Sequence, residues 1–556
     1  MSDTIFDRND LILAECTETP KDVLGYGRPA GPAVNTREEQ VDGLRILRDV
    51  PVEMRDGVTI YTDIYLPEGA GSQPILGTIV GWAAFGKHNT SDRLPPSTGL
   101  PAGSISRHTA FEVTDPVFWC PKGYAIVFPD PRGAWNSEGA YVQVGQEIED
   151  AYDLCEWLGV QPWSNGKVAF TGVSYPGTIA WGVAAKNPRH LAAIMPWEGF
   201  TDMYREFAYH GGIRETGHTF LVDKIVKWEG KKSEAIKANY DAHPFDDEYW
   251  AYKRPDLSKI TVPAYVCGSW SDQGLHCRGT FEGFRHIRSD QKWLQAHGRQ
   301  KWAEYYKPEN VQRQLQFFDK FLLGKDSGIE ERPPVEIEIR ERAFVGEIRA
   351  EQEWPLARTE HRKLFLGANG ATSFVPFSDS SSISYDAQTG SAIFEHKFEE
   401  DTELTGYMNL TLFVEAQGSH DLDLFVGLLK FDAQGDYVGL PYFSYHTDGP
   451  VALGWLRASH RELAESATPA QPIHVHRREQ PLHAGEIVEA NVEIWPSSTL
   501  FRKGETLRIV VQGHDLYTYE HAHEYGSHLD TRNAGKHAVH FGPNYPSNLL
   551  LPVIPK

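Results

Sequence analysis

The chain of 556 residues is poor in cysteine, has no long apolar run and is short of positive charge. Its five cysteines, Cys16, Cys120, Cys155, Cys267 and Cys277, are odd in number, widely spaced and contain no CxxC pair. That argues against a disulfide framework and fits free thiols in a reducing compartment. No apolar run approaches the ~20 residues that a membrane-spanning helix needs. The N-terminus, MSDTIFDRNDLILAE, is acidic and lacks the basic stretch and apolar core of a signal peptide, so a cytoplasmic protein is expected. Lys and Arg number 54 against 76 Asp and Glu, for a net charge of -22. Such a surface repels phosphate backbones and anionic lipid, so neither nucleic acid nor membrane is an expected partner.

The hydrophobic fraction of 40% and aromatic fraction of 12% suit a well-packed globular chain. Its length exceeds one compact core, and the pattern changes along it. Residues 1–50 are polar and read as an arm on the main body. GYGRPAG at Gly25–Gly31 resembles a dinucleotide loop, but no strand precedes it and no helix pattern follows, so that reading is discarded. From Pro51, VEMRDGVTIYTDIYLP reads as two strands around an Asp56-Gly57 turn. Short apolar runs follow: PILGTIVGWA, YAIVFPDPRG, KVAFTGVS, LAAIMPWEG, PAYVCGSWSD and KWLQAHG. They suit strands buried on both faces. Helical stretches lie between several of them. EIEDAYDLCEWLGV puts Ile148, Ala151, Leu154, Cys155 and Leu158 on one stripe, and VQRQLQFFDKFLLG puts Val311, Leu315, Phe318 and Leu322 on another, with Gly324 as a stop. Alternating strands and helices imply an α/β domain with a mostly parallel sheet, residues 51–199 and 261–333. Residues 200–260 lose the strand signal and read as a helical insertion roofing a pocket. After Pro333-Pro334 the apolar residues alternate with polar ones, and residues 334–556 read as an antiparallel all-β sandwich or jelly roll.

The segment KVAFTGVSYPG offers a candidate nucleophile. Val168–Phe170 supplies a strand, Gly172 lies two residues before Ser174, and Pro176 falls in a first helical turn, where a missing N–H is harmless. The second glycine, Gly177, is one place later than in Gly-x-Ser-x-Gly. Locally, a nucleophile and a helix-capping serine fit equally well. Downstream, GSWSD ends a strand in Asp272 and KWLQAH ends another in His297. Serine, acid and histidine in that order, each at a strand end, favour the nucleophile. A hydroxyl attacks only when a base takes its proton; imidazole can take and return it, and a carboxylate fixes the useful tautomer.

Further stretches carry a family resemblance: MRDGVTIYTDIYLP, FPDPRGAWNSEG, EDAYDLCEWLGVQPWSNGKVAFTGVSYPG, GSWSDQGLH, HGRQKWAEYY, LQFFDKFLLG, TELTGYMNLTLFVEA, GWLRASHREL and STLFRKGETLRIVV. Nearly everything after about Val50 resembles the CocE/NonD serine hydrolases, a group that includes cocaine esterase and is related to X-Pro dipeptidyl-peptidases and α-amino acid ester hydrolases. The resemblance implies an α/β-hydrolase domain with a helical cap and a C-terminal jelly-roll, galactose-binding-like domain. It implies that Gly-x-Ser-Tyr-x-Gly is the group's own elbow, with Ser174 as nucleophile, Asp272 as acid and His297 as general base. The backbone N–H of Tyr175 is the expected oxyanion donor. A second comes in similar enzymes from a tyrosine hydroxyl in an early loop. Here that position is Phe85, which has no hydroxyl; Trp82 and His88 flank it as substitutes. Homodimers are compatible with this group.

EGFTDMYRE places Glu198, Asp202, Arg205 and Glu206 at the cap entrance; related aminopeptidase-like enzymes use acidic groups there to hold an ammonium, and a salt-bridged hinge is the favoured alternative. Trp82, Trp197, Phe200 and Trp270 fit an aromatic acyl pocket or the core equally well. HVH at His474–His476 and the run His514–His528 invite a metal reading, but they lie in the β domain without cysteine ligands and read as satisfied histidines. FDAQGD near Asp432 reads as a hairpin turn, lacking a full calcium-ligand ladder. The expected activity is therefore metal-free, cofactor-free hydrolysis of a small-molecule ester, or an amide, through an acyl-enzyme on Ser174. Two alternatives stand beside it: acyl transfer or carbon–carbon bond hydrolysis with the same triad, and a non-catalytic binding protein on a hydrolase scaffold.

Overall fold

The computed structural model describes residues 6–17, 33–70, 76–91, 94, 96–517 and 526–556. The Gly25–Gly31 stretch lies outside the described residues. A large sheet begins with three antiparallel strands, β1 (Arg37–Val41), β2 (Leu44–Glu53) and β3 (Thr59–Pro67). Glu53 faces Thr59 across the Asp56-Gly57 turn, and Gly57 sits at φ +81, a left-handed conformation that glycine adopts without strain.

The sheet continues through β4 (Leu76–Val80), β5 (Tyr124–Pro129), β6 (Ser164–Val173), β7 (Leu191–Trp197), β8 (Ala264–Ser269), β9 (Lys292–His297) and β10 (Val335–Arg342). These strands run parallel in the spatial order β5-β4-β6-β7-β8-β9-β10. β3 lies antiparallel against β5, and β11 (Val345–Glu351) lies antiparallel against β10. Every residue of β4, β5 and β8 is buried, which is why their sequences are continuous apolar runs.

Helices cover both faces. In α1 (Gly145–Gly159) the stripe Ile148, Ala151, Leu154, Cys155 and Leu158 is buried, as its spacing predicts. α2 (Tyr175–Ala185) is buried throughout. Between β7 and β8 the chain leaves the sheet and builds a cap from α3 (His218–Ile225), helices Ile236–Ala242 and Glu248–Lys253, and short strands. One of these strands, Lys232–Glu234, pairs with Leu13–Glu15 of the N-terminal arm and with Ala140–Tyr141. A purely helical pattern predicted none there, because three polar residues carry no readable period. α4 (Cys277–His286), α5 (Lys301–Tyr305) and α6 (Pro308–Phe321) complete the layer. α6 buries Phe317 and Phe318 fully and Val311 and Leu315 only partly. The aromatic pair turns the helix: Phe318 meets Trp119 and Phe317 meets Trp293 beneath the sheet.

The C-terminal part is all β. The long strands Thr402–Gln417 and Val488–Phe501 pair antiparallel, Asp423–Phe431 pairs with Thr506–Gln512, and Asn548–Ile554 pairs with Glu360–Leu366. Their inward residues form a second core, including Leu410, Leu412, Val426, Leu428, Val492 and Ile509. Arg340 of β10 joins the two parts. Its guanidinium is buried and donates to Val451 O at 2.8 Å, Ser497 Oγ at 2.7 Å and Ser498 O at 3.2 Å.

Candidate active site

The sharpest backbone feature lies at the end of β6. Ser174 has φ 66 and ψ -120, a strained conformation for a residue with a side chain, directly before α2. Glycines make that turn possible. A Cβ on Gly172 would stand 2.5 Å from Pro176 Cβ and 2.7 Å from Glu112 O, and one on Gly177 would stand 3.0 Å from Trp197 O and 3.2 Å from Gly172 O. The late glycine is therefore where β7 passes closest to α2. The Tyr175 N–H opens the helix and has no acceptor within it, so it is free to meet an anion.

Ser174 Oγ lies 2.8 Å from Nε2 of His276, the residue before α4. The predicted histidine, His297, faces elsewhere. As the last residue of β9 it points under Trp197, with Nε2 3.1 Å from Glu198 Oε1 and Nδ1 accepting from the Arg299 N–H at 3.2 Å. The expected Ser174–His297 contact is thus replaced by Ser174–His276. The two rings also differ electrically. Burial, followed by the charges of Lys301 and His218, holds His276 well below the usual histidine range. Burial also opposes protonation of His297, but Glu198 outweighs it and raises that ring.

Asp272 is buried and does not contact His297 in the expected way. Its Oδ2 accepts from Lys301 Nζ at 3.0 Å and lies 4.0 Å from His276 Nε2. Burial pushes this carboxyl up to about 6 against the pull of Lys301. His276 Nδ1 is buried with no hydrogen-bond partner among the described residues. Close by, Glu112 accepts from Trp302 Nε1 at 2.8 Å, and burial pushes its carboxyl up to about 8. Its backbone oxygen accepts from the Val173 N–H at 2.9 Å, which ties it to the serine turn.

These groups open onto a pocket lined by Phe85, Phe111, Phe200, Phe207, Leu221 and Ile225, with Ser174, His276, Glu112, Lys301 and Gln143 as polar wall members. Gln143 Nε2 is buried there without a hydrogen-bond partner among the described residues. The β domain closes one side with Phe443 and Tyr445. Of the other predicted pocket residues, Phe200 lines the cavity and stacks on His276 at 5.9 Å. Trp82, Trp197 and Trp270 are fully buried core residues; Trp82 donates to Glu147 Oε1 at 3.0 Å and Trp270 to Glu338 O at 2.8 Å. His88 turns to Trp135 and to Asp130, 3.4 Å away. Phe85 reaches the cavity with its ring, while its carbonyl accepts from Trp135 Nε1. Asp202, Arg205 and Glu206 are engaged in ion pairs with Asp246, Arg254 and Arg278.

Sequence reasoning missed His276, Glu112 and Lys301. Serine, acid and histidine occur in the same order whether the chain is read to His276 or to His297, so order alone did not separate them. Among the described residues no group of three or more His, Cys, Asp or Glu is arranged to hold a metal ion. Residues 518–525 of the His514–His528 run lie outside the described residues. No helix among the described residues is long and apolar enough to cross a membrane.

Comparison with known proteins agrees with this architecture. Residues 56–231 match the X-Pro dipeptidyl-peptidase (S15) family, and residues 327–550 match the X-Pro dipeptidyl-peptidase C-terminal non-catalytic domain. The chain is 24% identical to a cocaine esterase of Rhodococcus sp. (strain MB1 Bresler), over 92% of this chain and 100% of that protein. It is 25% identical to a putative serine esterase of Mycobacterium bovis, over 84% of this chain and 90% of that one. A crystal structure of a CocE/NonD family hydrolase from Staphylococcus aureus superposes with a TM-score of 0.89 at 37% identity, covering 92% of this chain and 94% of that one. A strained turn that presents Ser174 to the pocket, an imidazole bonded to it and this likeness over 92% of the chain lead to one conclusion: the chain belongs to the CocE/NonD family of hydrolases.

Proposed function

We propose that the chain hydrolyses carboxylic esters through an acyl-enzyme on Ser174, with His276 as the general base. The observation that carries this reading is the 2.8 Å contact between Ser174 Oγ and His276 Nε2 at the floor of an apolar cavity. A histidine held neutral by burial is ready to accept the serine proton as Oγ attacks the ester carbonyl. The tetrahedral oxyanion then meets the Tyr175 N–H at the start of α2. The imidazolium formed in a buried site is a strong acid, so it passes its proton readily to the departing alcohol. Water, deprotonated in turn by His276, releases the acid and restores Ser174.

The wall supports an ester with a bulky apolar, aromatic-sized group, since Phe85, Phe111, Phe200 and Phe207 surround the site. The unpartnered Gln143 Nε2 favours a substrate that also carries a hydrogen-bond acceptor. The esterase names of its relatives support an ester over an amide. The test is a fluorophosphonate probe together with a panel of aryl and alkyl esters. Native protein is expected to be labelled and to turn over aryl esters, and Ser174→Ala to do neither. Labelling of Ser174→Ala equal to that of native protein overturns the assignment.

A further inference from the structure

In the serine hydrolase reading, Asp272 would ordinarily orient the base through the ring nitrogen remote from the serine. Here it does not. Its Oδ2 approaches Nε2 of His276, the nitrogen bonded to Ser174, at 4.0 Å, while Nδ1 has no partner among the described residues. An uncompensated anion in that place would favour a proton on Nε2, and a protonated Nε2 cannot accept one from serine. The same Oδ2 is held by Lys301 Nζ at 3.0 Å. Lys301 is the first residue of α5, is 6% exposed and lines the cavity beside His276.

We propose that Lys301 is a positioning residue: by neutralising Asp272 it keeps His276 Nε2 unprotonated and facing Ser174 Oγ. This inference rests on the ester-hydrolase reading above. The groups around His276 are consistent with it from every side. Ser174 comes from the β6–α2 turn, Phe200 from the segment after β7, His218 from α3, Asp272 from the loop before α4, and Lys301 from α5. Asp272, and after it Glu198, hold Lys301 protonated against the effect of burial. The carboxyl–lysine pair is therefore a fixed, nearly neutral unit next to the base, and its cation faces the reaction.

The test is the pH profile of kcat/KM for an aryl ester, with fluorophosphonate labelling as a separate readout. Lys301→Met is expected to move the acid limb upward far enough to lower kcat/KM at pH 7 at least tenfold, with activity recovering toward pH 9. Lys301→Arg keeps the native limb. Adding Asp272→Asn to Lys301→Met removes the anion and is expected to restore activity at pH 7, a rescue that a purely structural role for Lys301 would not give. Should Lys301→Met not fold, Asp272→Asn alone carries the test. Its acid limb is expected at or below the native one, whereas a loss of roughly 10⁴-fold would mark Asp272 as the orienting acid and overturn the proposal. An unmoved limb in folded Lys301→Met also overturns it while native Ser174 still labels. Absence of labelling in native protein would instead remove the hydrolase reading itself.

Discussion

Two histidines lie buried at the same end of the sheet, and they have opposite surroundings. His276 stands on the cavity wall with a hydroxyl, a stacked phenyl ring and a nearby ammonium, and is held neutral. His297 ends β9 with Glu198 against it, and is drawn toward the protonated state. The first arrangement suits a proton acceptor and the second a structural ion pair. What decides a histidine's use is the oxygen it faces: a serine hydroxyl offers a proton, a buried carboxylate demands one.

Exchanging the roles is the most direct way to break this comparison. His276→Ala is expected to lower kcat/KM by roughly 10³- to 10⁶-fold, the range for removing a base from such a unit, while His297→Gln lowers it less than tenfold. Steady-state kinetics on both variants decide it, and the reverse ranking would put the base at His297. A stability comparison comes next. Because the folded-state value of His297 is raised, its pairing with Glu198 stabilises fully below about pH 6.5 and is lost as pH rises through the higher folded value. Urea unfolding from pH 5 to 8 is expected to show a smaller loss of stability in His297→Gln than in native protein, the difference being the contribution of this pair. His276, with its value depressed, contributes in the opposite sense.

The carboxyls sharpen the contrast further. Glu112, raised to about 8, and Glu147, raised to about 7, bind protons in the folded chain that the unfolded chain has released. Stability should therefore fall as pH climbs from about 4.5 toward 8. Glu112→Gln is expected to flatten part of that slope in the same unfolding series. The smallest effect concerns the loop opposite the base. Phe85→Tyr places a hydroxyl on the cavity wall, and a gain of up to about tenfold in kcat is expected if that side faces the oxyanion. An unchanged kcat would assign the oxyanion to other donors.

Much of the scaffold was legible because burial leaves a plain signature. The apolar runs of β4, β5 and β8 are strands, and the stripe of α1 faces the core. The serine turn was legible as well, since close backbone approach demands small residues at Gly172 and Gly177. The partner of the serine was not. His276 and His297 both follow Asp272 in the chain, and what separates them is the direction of a side chain set by the turn before α4 and by Glu198 beyond β7. Glu112 was equally hidden, because its place beside Ser174 comes from a loop whose carbonyl accepts from the Val173 N–H. The three-residue strand Lys232–Glu234 was too short to show a pattern.

Phe443 and Tyr445 belong to the last third of the chain, yet they line the same pocket as Ser174. The Phe443 N–H also donates to Ser271 O, next to Asp272. The pocket wall is accordingly a joint product of both parts of the chain. A hybrid spliced from two relatives at the seam after β11 would inherit its chemistry from one parent and its appetite from both.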